Sequence, residues 1–280
     1  MQLGKPSQTA WTVAFHRAAH QSIEEGRIFT DPLAVRILGQ DAESVVRAAQ
    51  EQPTAKPMRI FVASRTRFAE DALAKAAACG TNQLVVLGAG LDTYAYRTTL
   101  ADRVRIFEVD HPDTQAWKRG LLEEASIATP PYLTFVPLDF ERHSLAEGLG
   151  SAGFDFGKQT FFTWLGVVPY LREEAVWTTL HFIAQLVHGA HVVFDYSDPP
   201  ETMQEDQRSR HERRAARVAG LGERWITYFT PGVLREKLLA AGFADVEDLG
   251  PPEIAARYFP SRAGIAREKG GHIVRASTVR

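Results

Sequence analysis

The sequence has little that would build a metal centre or a covalent cross-link, since Cys79 is the only cysteine among 280 residues. A single cysteine excludes both an internal disulfide and a site made of several thiolates. A charge excess is also lacking, because 32 basic residues are matched by 34 acidic ones, and no run of eighteen apolar residues or N-terminal cleavage signal occurs. We therefore expect a cytoplasmic protein that needs no metal and has neither a nucleic acid nor a membrane as its partner.

The first eighty residues have helical patterns. Residues 9–29 place their apolar side chains on one stripe, as an amphipathic helix does. Asp31 is suited to cap a second helix that has Pro32 at its first position. A third helical stretch begins near Lys56 and ends at Gly80, where glycine can take the left-handed conformation.

Strands and helices then alternate. Short apolar runs predict strands at 84–87, 104–109, 133–137, 160–164 and 190–196, with helices between them at 91–100, 112–125, 144–149 and 173–187. This alternation predicts a doubly wound α/β fold with a parallel sheet. The last third has a polar segment at 199–222, a helix at 230–241 and two closing strands at 243–249 and 272–279. Because no helical pattern precedes the final strand, we expect it to pair antiparallel at or near the sheet edge.

A glycine turn follows the first strand, at Gly88-Ala89-Gly90. Glycines let the backbone approach a ligand closely, and the first amides of a following helix point at that ligand. The third glycine of the dinucleotide-binding fingerprint is missing, since Thr93 stands at its position. Alone, the turn is compatible with a nucleotide site or with a turn that is merely tight.

Acidic residues end the next two strands. Glu108 and Asp110 lie about twenty residues beyond the turn, where an acid can accept the ribose hydroxyl protons of a nicotinamide dinucleotide or of S-adenosylmethionine; alternatively, Asp110 caps the next helix. Asp139 and Phe140 follow the third strand, where they are either ordinary loop residues or an acid and a ring face for an adenine. The segment from Trp164 to Tyr170 follows the fourth strand, so all these elements are expected at one crevice beyond the carboxyl ends of the strands.

Several motifs resemble the leucine carboxyl methyltransferase family, in particular its bacterial branch of S-adenosylmethionine-dependent O-methyltransferases. They are LGAGLDTYAYR, FEVDHPDTQAWKR, LDF and FFTWLGVVPYL, and upstream TAWTVAFHRAAH, FTDPLA and SRTRFAED, so the likeness covers most of residues 9–196. It implies one class I methyltransferase domain with a Rossmann-like sheet of seven strands, mostly parallel with an antiparallel last strand. Its parts would be an N-terminal helical cap (1–80), a cofactor-binding core (81–196), an insert or lid (197–230) and the C-terminal part of the sheet (231–280).

The resemblance also implies S-adenosyl-L-methionine as cofactor and gives its ligands. Arg65, with Arg67 adjacent, corresponds to the arginine that holds the methionine carboxylate, while Gly88 and Gly90 contact the methionine, Asp110 the ribose, and Asp139 with Phe140 the adenine. The full set of expected cofactor contacts is Arg65, Gly88, Ala89, Gly90, Asp92, Glu108, Asp110, Asp139, Phe140, Trp164 and Leu165.

One position departs from the family pattern. The family usually has an acid after the fourth strand, facing the ammonium group of the cofactor, and here that position is Leu165. A backbone carbonyl, Glu108 or Asp92 would have to compensate, or cofactor affinity is weak. A cofactor-binding protein without turnover therefore stays open beside the methyltransferase, as does a nicotinamide-dependent oxidoreductase.

No general base is identified by the sequence. A carboxylate acceptor needs none, whereas a phenol or alcohol gains from one; the candidates near the expected site are His111, Tyr170, Tyr196 and Asp198. The acceptor, a small molecule or a carboxylate-bearing substrate, is expected to contact the N-terminal cap and the late insert. The aromatic residues there that can line a cavity are Trp11, Phe15, Trp225, Tyr228 and Phe229.

Overall fold

A computed structural model describes residues 7–139, 143–220, 222–260 and 269–279. The α-helices in these ranges are α1 (Gln8–Ile23), α2 (Leu33–Ile37), α3 (Ala42–Gln50), α4 (Lys56–Ala78), α5 (Tyr94–Arg97), α6 (Pro112–Glu124), α7 (Leu145–Ser151), α8 (Glu173–Ala184), α9 (Glu205–Gly220), α10 (Pro231–Ala240) and α11 (Pro251–Tyr258). Short 3₁₀ turns occur at Pro53–Ala55, Val168–Tyr170 and Pro200–Thr202. Among the residues described, no helix is both long and apolar enough to cross a membrane.

The strands form a seven-stranded sheet. They are β1 (Gln83–Leu87), β2 (Arg105–Asp110), β3 (Leu133–Pro137), β4 (Thr160–Trp164), β5 (Ala190–Ser197), β6 (Asp245–Leu249) and β7 (Gly271–Ser277), in the spatial order β3-β2-β1-β4-β5-β7-β6. β2 is parallel to β3, and β4 is parallel to both β1 and β5. β7 is antiparallel to β5 and to β6. The predicted doubly wound sheet with an antiparallel last strand is confirmed.

Residue contacts divide the chain into two compact units. The first consists of Met1–Ala77 and Gly88–Phe154, and the second of Ala78–Leu87 and Asp155–Arg280. The first unit contains β2 and β3 with the helices that precede and follow them, and the second contains the other strands with α8 to α11. The glycine turn belongs to the first unit, whereas the segment after β4 belongs to the second.

Helix α2 begins at Leu33, one residue later than the sequence predicts, and it is short. The backbone N–H of Ala34 donates to the Asp31 carboxylate at 3.1 Å, which satisfies one free amide of the first turn. Residues from α1, α2 and α3 bury their apolar side chains in one cluster with Leu91, which follows the glycine turn. The N-terminal helices thus form one packed layer in the first unit, to which Leu91 connects the turn.

Two helical predictions differ from the structure. The expected helix at 91–100 is the single turn Tyr94–Arg97, because Asp92 accepts the N–H of Tyr94 in a local turn and Thr98 is extended. Helix α11 (Pro251–Tyr258) lies before the last strand, so the expectation that only a loop joins the final two strands was wrong. Two adjacent prolines break most patterns, but prolines are tolerated in the first turn of a helix, where no N–H is needed.

Candidate functional site

The glycine turn lies directly against the end of β2. The N–H groups of Gly88 and Ala89 donate to the carbonyl of Val109, at 2.8 and 3.2 Å. Gly88 has a φ of 65° and Gly90 a φ of 47°, and a Cβ added to Gly90 would lie 3.0 Å from the Cβ of Ala10. Both conformations favour glycine, and the second glycine also has no room for a side chain.

Asp110 connects this turn to the start of α6. One carboxylate oxygen of Asp110 accepts the N–H of Gly90 at 2.5 Å, and the other accepts the N–H of His111 at 2.7 Å. Burial raises the pKa of Asp110, and these two donors oppose the rise by stabilising the charged form. Because an ionised carboxylate has about four lone-pair sites, both oxygens can still accept a hydroxyl proton.

The cap of α6 is His111 rather than Asp110. The Nδ1 atom of His111 accepts the N–H of Asp113 at 3.2 Å, and Pro112 follows as the first helical residue. The alternative interpretation of Asp110 as the helix cap is therefore wrong. His111, a candidate base, has its Nδ1 atom occupied by this cap.

Asp139 follows the strand next to Asp110. In the register of β2 and β3, Asp110 is opposite Pro137, and the N–H of Leu138 donates to the Asp110 carbonyl at 2.8 Å. Asp139 is half-buried one residue further on. Phe140, the predicted partner of the adenine ring, lies outside the described residues.

Glu108 has a partner within the chain. Its carboxylate is bound to the ammonium group of Lys118 on α6 at 2.6 Å, and both side chains are almost completely buried. Burial raises the pKa of Glu108 to about 7, against the lowering effect of Lys118. This ion pair connects β2 to α6, and it occupies one oxygen of the Glu108 carboxylate within the chain.

Asp92 is half-buried and organises the chain after the turn. Its side chain accepts the N–H of Tyr94 at 2.7 Å, and its own N–H donates to the carbonyl of Ala89 at 2.7 Å. Asp92 therefore shapes the turn from which it projects.

The two arginines of α4 have different environments. Arg65 is 5% exposed, and its guanidinium carbon lies 5.9 Å from the ring centre of Phe61. Arg67 is half exposed and forms an ion pair with Asp71 at 2.8 Å, one helical turn away. Of the two, Arg65 is the buried cation.

A buried polar network, which was not predicted from the sequence, holds the chain that follows the glycine turn. The Nε atom of Arg17 donates to Asp31 at 3.0 Å, and its terminal nitrogen donates to the carbonyl of Leu91. The hydroxyl of Thr93 donates to the same Asp31 oxygen at 2.8 Å. The only sequence signal was a charged residue inside each of two apolar segments.

Helix α4 joins the same network through Arg97. The Nε atom of Arg97 donates to the Thr93 hydroxyl at 3.1 Å, and its two terminal nitrogens bind both carboxylate oxygens of Glu70. The four N-terminal motifs of the family resemblance thus contribute Arg17, Asp31, Glu70 and the Thr93–Arg97 pair to one set of bonds. Their shared role in the structure is to hold the segment that follows the glycine turn.

In the second unit, the chain after β4 turns at Gly166. Trp164 is buried against Phe194 with ring centres 6.4 Å apart, while Leu165 is half-buried. The N–H of Gly166 donates to Asp195 on β5 at 2.5 Å. A carboxylate therefore contacts the turn that has Leu165 instead of an acid. This contact could not be predicted from the sequence, because Asp195 lies inside an apolar strand.

Tyr196 and Asp198 are used by a buried cluster. The Tyr196 hydroxyl donates to Asp248 at 2.6 Å, and its ring stacks on His272 with centres 4.7 Å apart. His272 lies between Asp198 and Asp248, at 3.0 Å from each. Burial and the two aspartates raise the pKa of Tyr196, so its hydroxyl stays protonated and its proton is held by Asp248. Tyr170, the remaining candidate, is half-buried in the 3₁₀ turn after β4.

Comparison with known proteins agrees with the motifs. A family model described as leucine carboxyl methyltransferase matches residues 10–184. "Putative S-adenosyl-L-methionine-dependent methyltransferase YktD" of Bacillus subtilis is 33% identical over 243 residues, which cover 86% of this chain and 78% of the relative. A protein of Mycolicibacterium smegmatis described in the same words is 32% identical over 230 residues, covering 78% of this chain and 73% of the relative.

A solved structure shares the fold. The crystal structure of a putative methyltransferase from Thermobifida fusca superposes with a TM-score of 0.56 at 17% identity, and covers 98% of this chain and 96% of that one. At this identity the likeness concerns the fold alone. The family match and the two relatives confirm the resemblance drawn from the sequence motifs. The chain therefore belongs to the leucine carboxyl methyltransferase family and is a methyltransferase.

Proposed function

We propose that this methyltransferase seats S-adenosylmethionine on its glycine turn and transfers the methyl group to an oxygen of a small molecule or a carboxylate. Its curated relatives are described as dependent on that cofactor. The observation that carries the proposal is the 2.5 Å bond between the Gly90 N–H and Asp110. This bond holds a carboxylate beside the glycine turn, the arrangement in which a nucleoside site presents an acid to the ribose hydroxyls.

The donor and acceptor groups of the first unit fit this cofactor. Asp110 retains lone pairs for two ribose hydroxyls, and Asp139 follows the neighbouring strand, where an adenine amino group needs an acceptor. Arg65 is buried. A guanidinium group can bind a carboxylate through two parallel N–H bonds. Gly88, Ala89 and Gly90 allow the backbone to approach the methionine part closely.

The other proposed cofactor contacts are supported by the sequence motifs. Asp92 shapes the turn and is proposed to face the cofactor from there. Trp164 and Leu165 of the second unit, together with Phe140, are proposed contacts on the strength of the family resemblance. Cytoplasmic location, and a small acceptor rather than a nucleic acid or a membrane, also stay predictions from the sequence.

In this reaction the protein mainly has to position the acceptor oxygen and to exclude water, because the methyl group is already activated. When bound, S-adenosylmethionine supplies a methyl group already activated on a sulfonium. The chain's residues then contribute by fixing the acceptor oxygen in line with that methyl group and by removing water from both, an effect worth up to ~7–11 kcal/mol in well-oriented reactions.

Isothermal titration calorimetry with S-adenosylmethionine, S-adenosylhomocysteine and NAD tests the proposal. We expect both sulfur compounds to bind and NAD not to bind. Binding of NAD alone would instead indicate an oxidoreductase. Tight binding of S-adenosylhomocysteine with no methylation across a broad panel of hydroxyl and carboxylate compounds would contradict the proposed transfer and indicate a protein that has lost turnover.

A further inference from the structure

Two carboxylates of the first unit hold the same short turn. The N–H of Asp92 donates to the carbonyl of Ala89 at 2.7 Å and closes this turn. Asp110 accepts the N–H of Gly90, inside the turn, at 2.5 Å. The Asp92 carboxylate accepts the N–H of Tyr94, just beyond the turn, at 2.7 Å. Both carboxylates are half-buried, so two negative charges lie together at the glycine turn.

The partners of these two carboxylates are backbone N–H groups rather than cations, among the residues that the structure describes. A backbone N–H group stabilises a carboxylate but leaves its charge in place. The other buried acids around the turn each form an ion pair: Asp31 with Arg17, Glu70 with Arg97, and Glu108 with Lys118. The negative charges of Asp92 and Asp110 are therefore left without a balancing charge from the chain.

Glu108 responds to this uncompensated charge. Burial raises the pKa of Glu108, Lys118 lowers it, and the charges of Asp92 and Asp110 raise it again. The Oε1 atom of Glu108 is buried and has no hydrogen-bond partner within the described ranges. Glu108 thus shares a poorly solvated environment with the two carboxylates, where electrostatic interactions are stronger than in water.

The net charge of a ligand decides how well it fits this environment. In the proposed function Arg65 binds the carboxylate of the methionine part, which cancels one charge on each side. S-adenosylmethionine then offers two positive charges to Asp92 and Asp110, one on its ammonium group and one on its sulfonium. S-adenosylhomocysteine offers only the ammonium, because its sulfur is a neutral thioether. The donor therefore balances both carboxylates, whereas the product leaves one negative charge without a partner.

We propose that Asp92 and Asp110 make the cofactor site selective for a positively charged sulfur, so that S-adenosylmethionine binds more tightly than S-adenosylhomocysteine. This inference rests on the proposed function and names what that site distinguishes. When the methyl group bonds to the acceptor oxygen, the electron pair of the broken S–CH₃ bond stays on sulfur, which becomes neutral. The proton of a hydroxyl acceptor passes to water. The product is then the weaker ligand, and a new donor displaces it.

The expected preference follows from the strength of one unbalanced charge. At an effective dielectric constant of about 20, a unit charge within roughly 8 Å changes a binding constant tenfold or more. Salt screens partly buried charges much less than exposed ones. We therefore expect the preference to be measurable in ordinary buffers.

Calorimetric titration of the full chain with three ligands tests the preference. The ligands are S-adenosylmethionine, S-adenosylhomocysteine and sinefungin, which has an amine-bearing carbon in place of the methylated sulfur. Titrations at about pH 8 keep all these carboxylates ionised, because the highest of their pKa values, that of Glu108, is about 7. We expect S-adenosylmethionine and sinefungin to bind at least about fivefold more tightly than S-adenosylhomocysteine.

A pair of matched variants assigns the preference to the turn. Asp92→Asn removes one charge but keeps an oxygen that can accept the N–H of Tyr94. It should reduce the preference for both cationic ligands over S-adenosylhomocysteine at least about threefold. Asp41→Asn is the control, because Asp41 also accepts a backbone N–H at 2.7 Å, that of Ser44, but is exposed at the start of α3. This variant should keep the wild-type preference.

Three results would overturn the charge preference while both cofactor forms still bind. They are equal or tighter binding of S-adenosylhomocysteine by the wild-type chain, weak binding of sinefungin, which would indicate recognition of the methyl group, and an unchanged preference in Asp92→Asn. The wild-type comparison does not depend on the folding of any variant. If none of the three ligands binds, the proposed function has failed together with this inference.

Discussion

Arg17 and Asp31 form an ion pair of 3.0 Å in which the arginine side chain is 6% exposed and the aspartate completely buried. Because Arg17 also donates to the Leu91 carbonyl and Asp31 accepts the Thr93 hydroxyl, this pair connects α1 to the chain after the glycine turn. Buried pairs are costly to break, since removing one partner leaves an uncompensated charge.

Arg17→Met should therefore destabilise the protein by about 3–5 kcal/mol, measured by urea unfolding. Arg67→Met is the control, because it removes a half-exposed arginine from an ion pair that should contribute ~1 kcal/mol or less. Equal effects of the two substitutions would contradict a special role for the buried pair.

The Asp110 carboxylate should control cofactor affinity. Asp110→Ala is expected to weaken binding of S-adenosylhomocysteine tenfold or more in calorimetry, since losing a hydrogen bond to a charged group costs ~1.5–3 kcal/mol. Asp102→Ala, at an exposed position before β2, should leave the dissociation constant unchanged. If Asp110→Ala binds like the wild type, another residue holds the ribose.

Gly90 and Gly120 are a matched pair for testing the turn. Gly90→Ala should destabilise the protein and weaken cofactor binding, because the added Cβ meets Ala10 at 3.0 Å and φ is 47°. Gly120→Ala lies inside α6 with open space around it and should stabilise the protein by about 0.5–1 kcal/mol. Thermal unfolding and calorimetry measure both; a Gly90→Ala protein that keeps stability and affinity would show that the close approach is dispensable.

Removing Lys118 should make the stability of the protein depend more strongly on pH, because the buried Glu108 carboxyl then lacks its cation. In Lys118→Met the Glu108 carboxyl loses its cation, and its pKa, already raised to about 7 by burial, rises further. An acid whose folded pKa lies above its unfolded value loses stability as pH rises through the folded pKa. Urea unfolding of this variant should thus show stability falling as the pH rises from 4.5, the unfolded value, to 7 and beyond. The double variant Glu108→Leu/Lys118→Met should remove the fall, and its persistence there would exclude Glu108 as the cause.

His272 should make the stability of the wild-type protein depend on pH above neutrality. Burial disfavours the charged imidazolium, but hydrogen bonds to Asp198 and Asp248 outweigh it and raise the pKa of His272 to about 9. For a base whose folded pKa is raised, the added stability is complete below the unfolded pKa of 6.5 and is lost as pH rises through 9. We expect unfolding measurements to show a loss on the order of 3 kcal/mol between these values, which His272→Gln should abolish. A wild-type stability that is flat over this interval would contradict the charged cluster.

The parallel part of the sheet could be predicted because each strand is a short apolar run buried on both faces, a pattern that depends on local sequence alone. The third and fourth strands have the predicted limits, and the others shift by one or two residues. Helix α11 was missed because its first two residues are prolines, and the helix after the turn shrank to Tyr94–Arg97 because the Asp92 side chain competes for the backbone. Local patterns do not show which of two competing hydrogen bonds forms.

The sequence by itself determined the family, the fold class and the positions of the glycine turn and Asp110, since these depend on residues close to one another in the chain. Only the tertiary structure decided the partners of the buried charges. Glu108 forms an ion pair with Lys118. Asp195 accepts a hydrogen bond from the turn that follows Leu165, and the Tyr196 hydroxyl donates to Asp248. Burying a charged group costs free energy unless a partner offsets the lost solvation. Local sequence patterns do not show which partner the fold places beside that group.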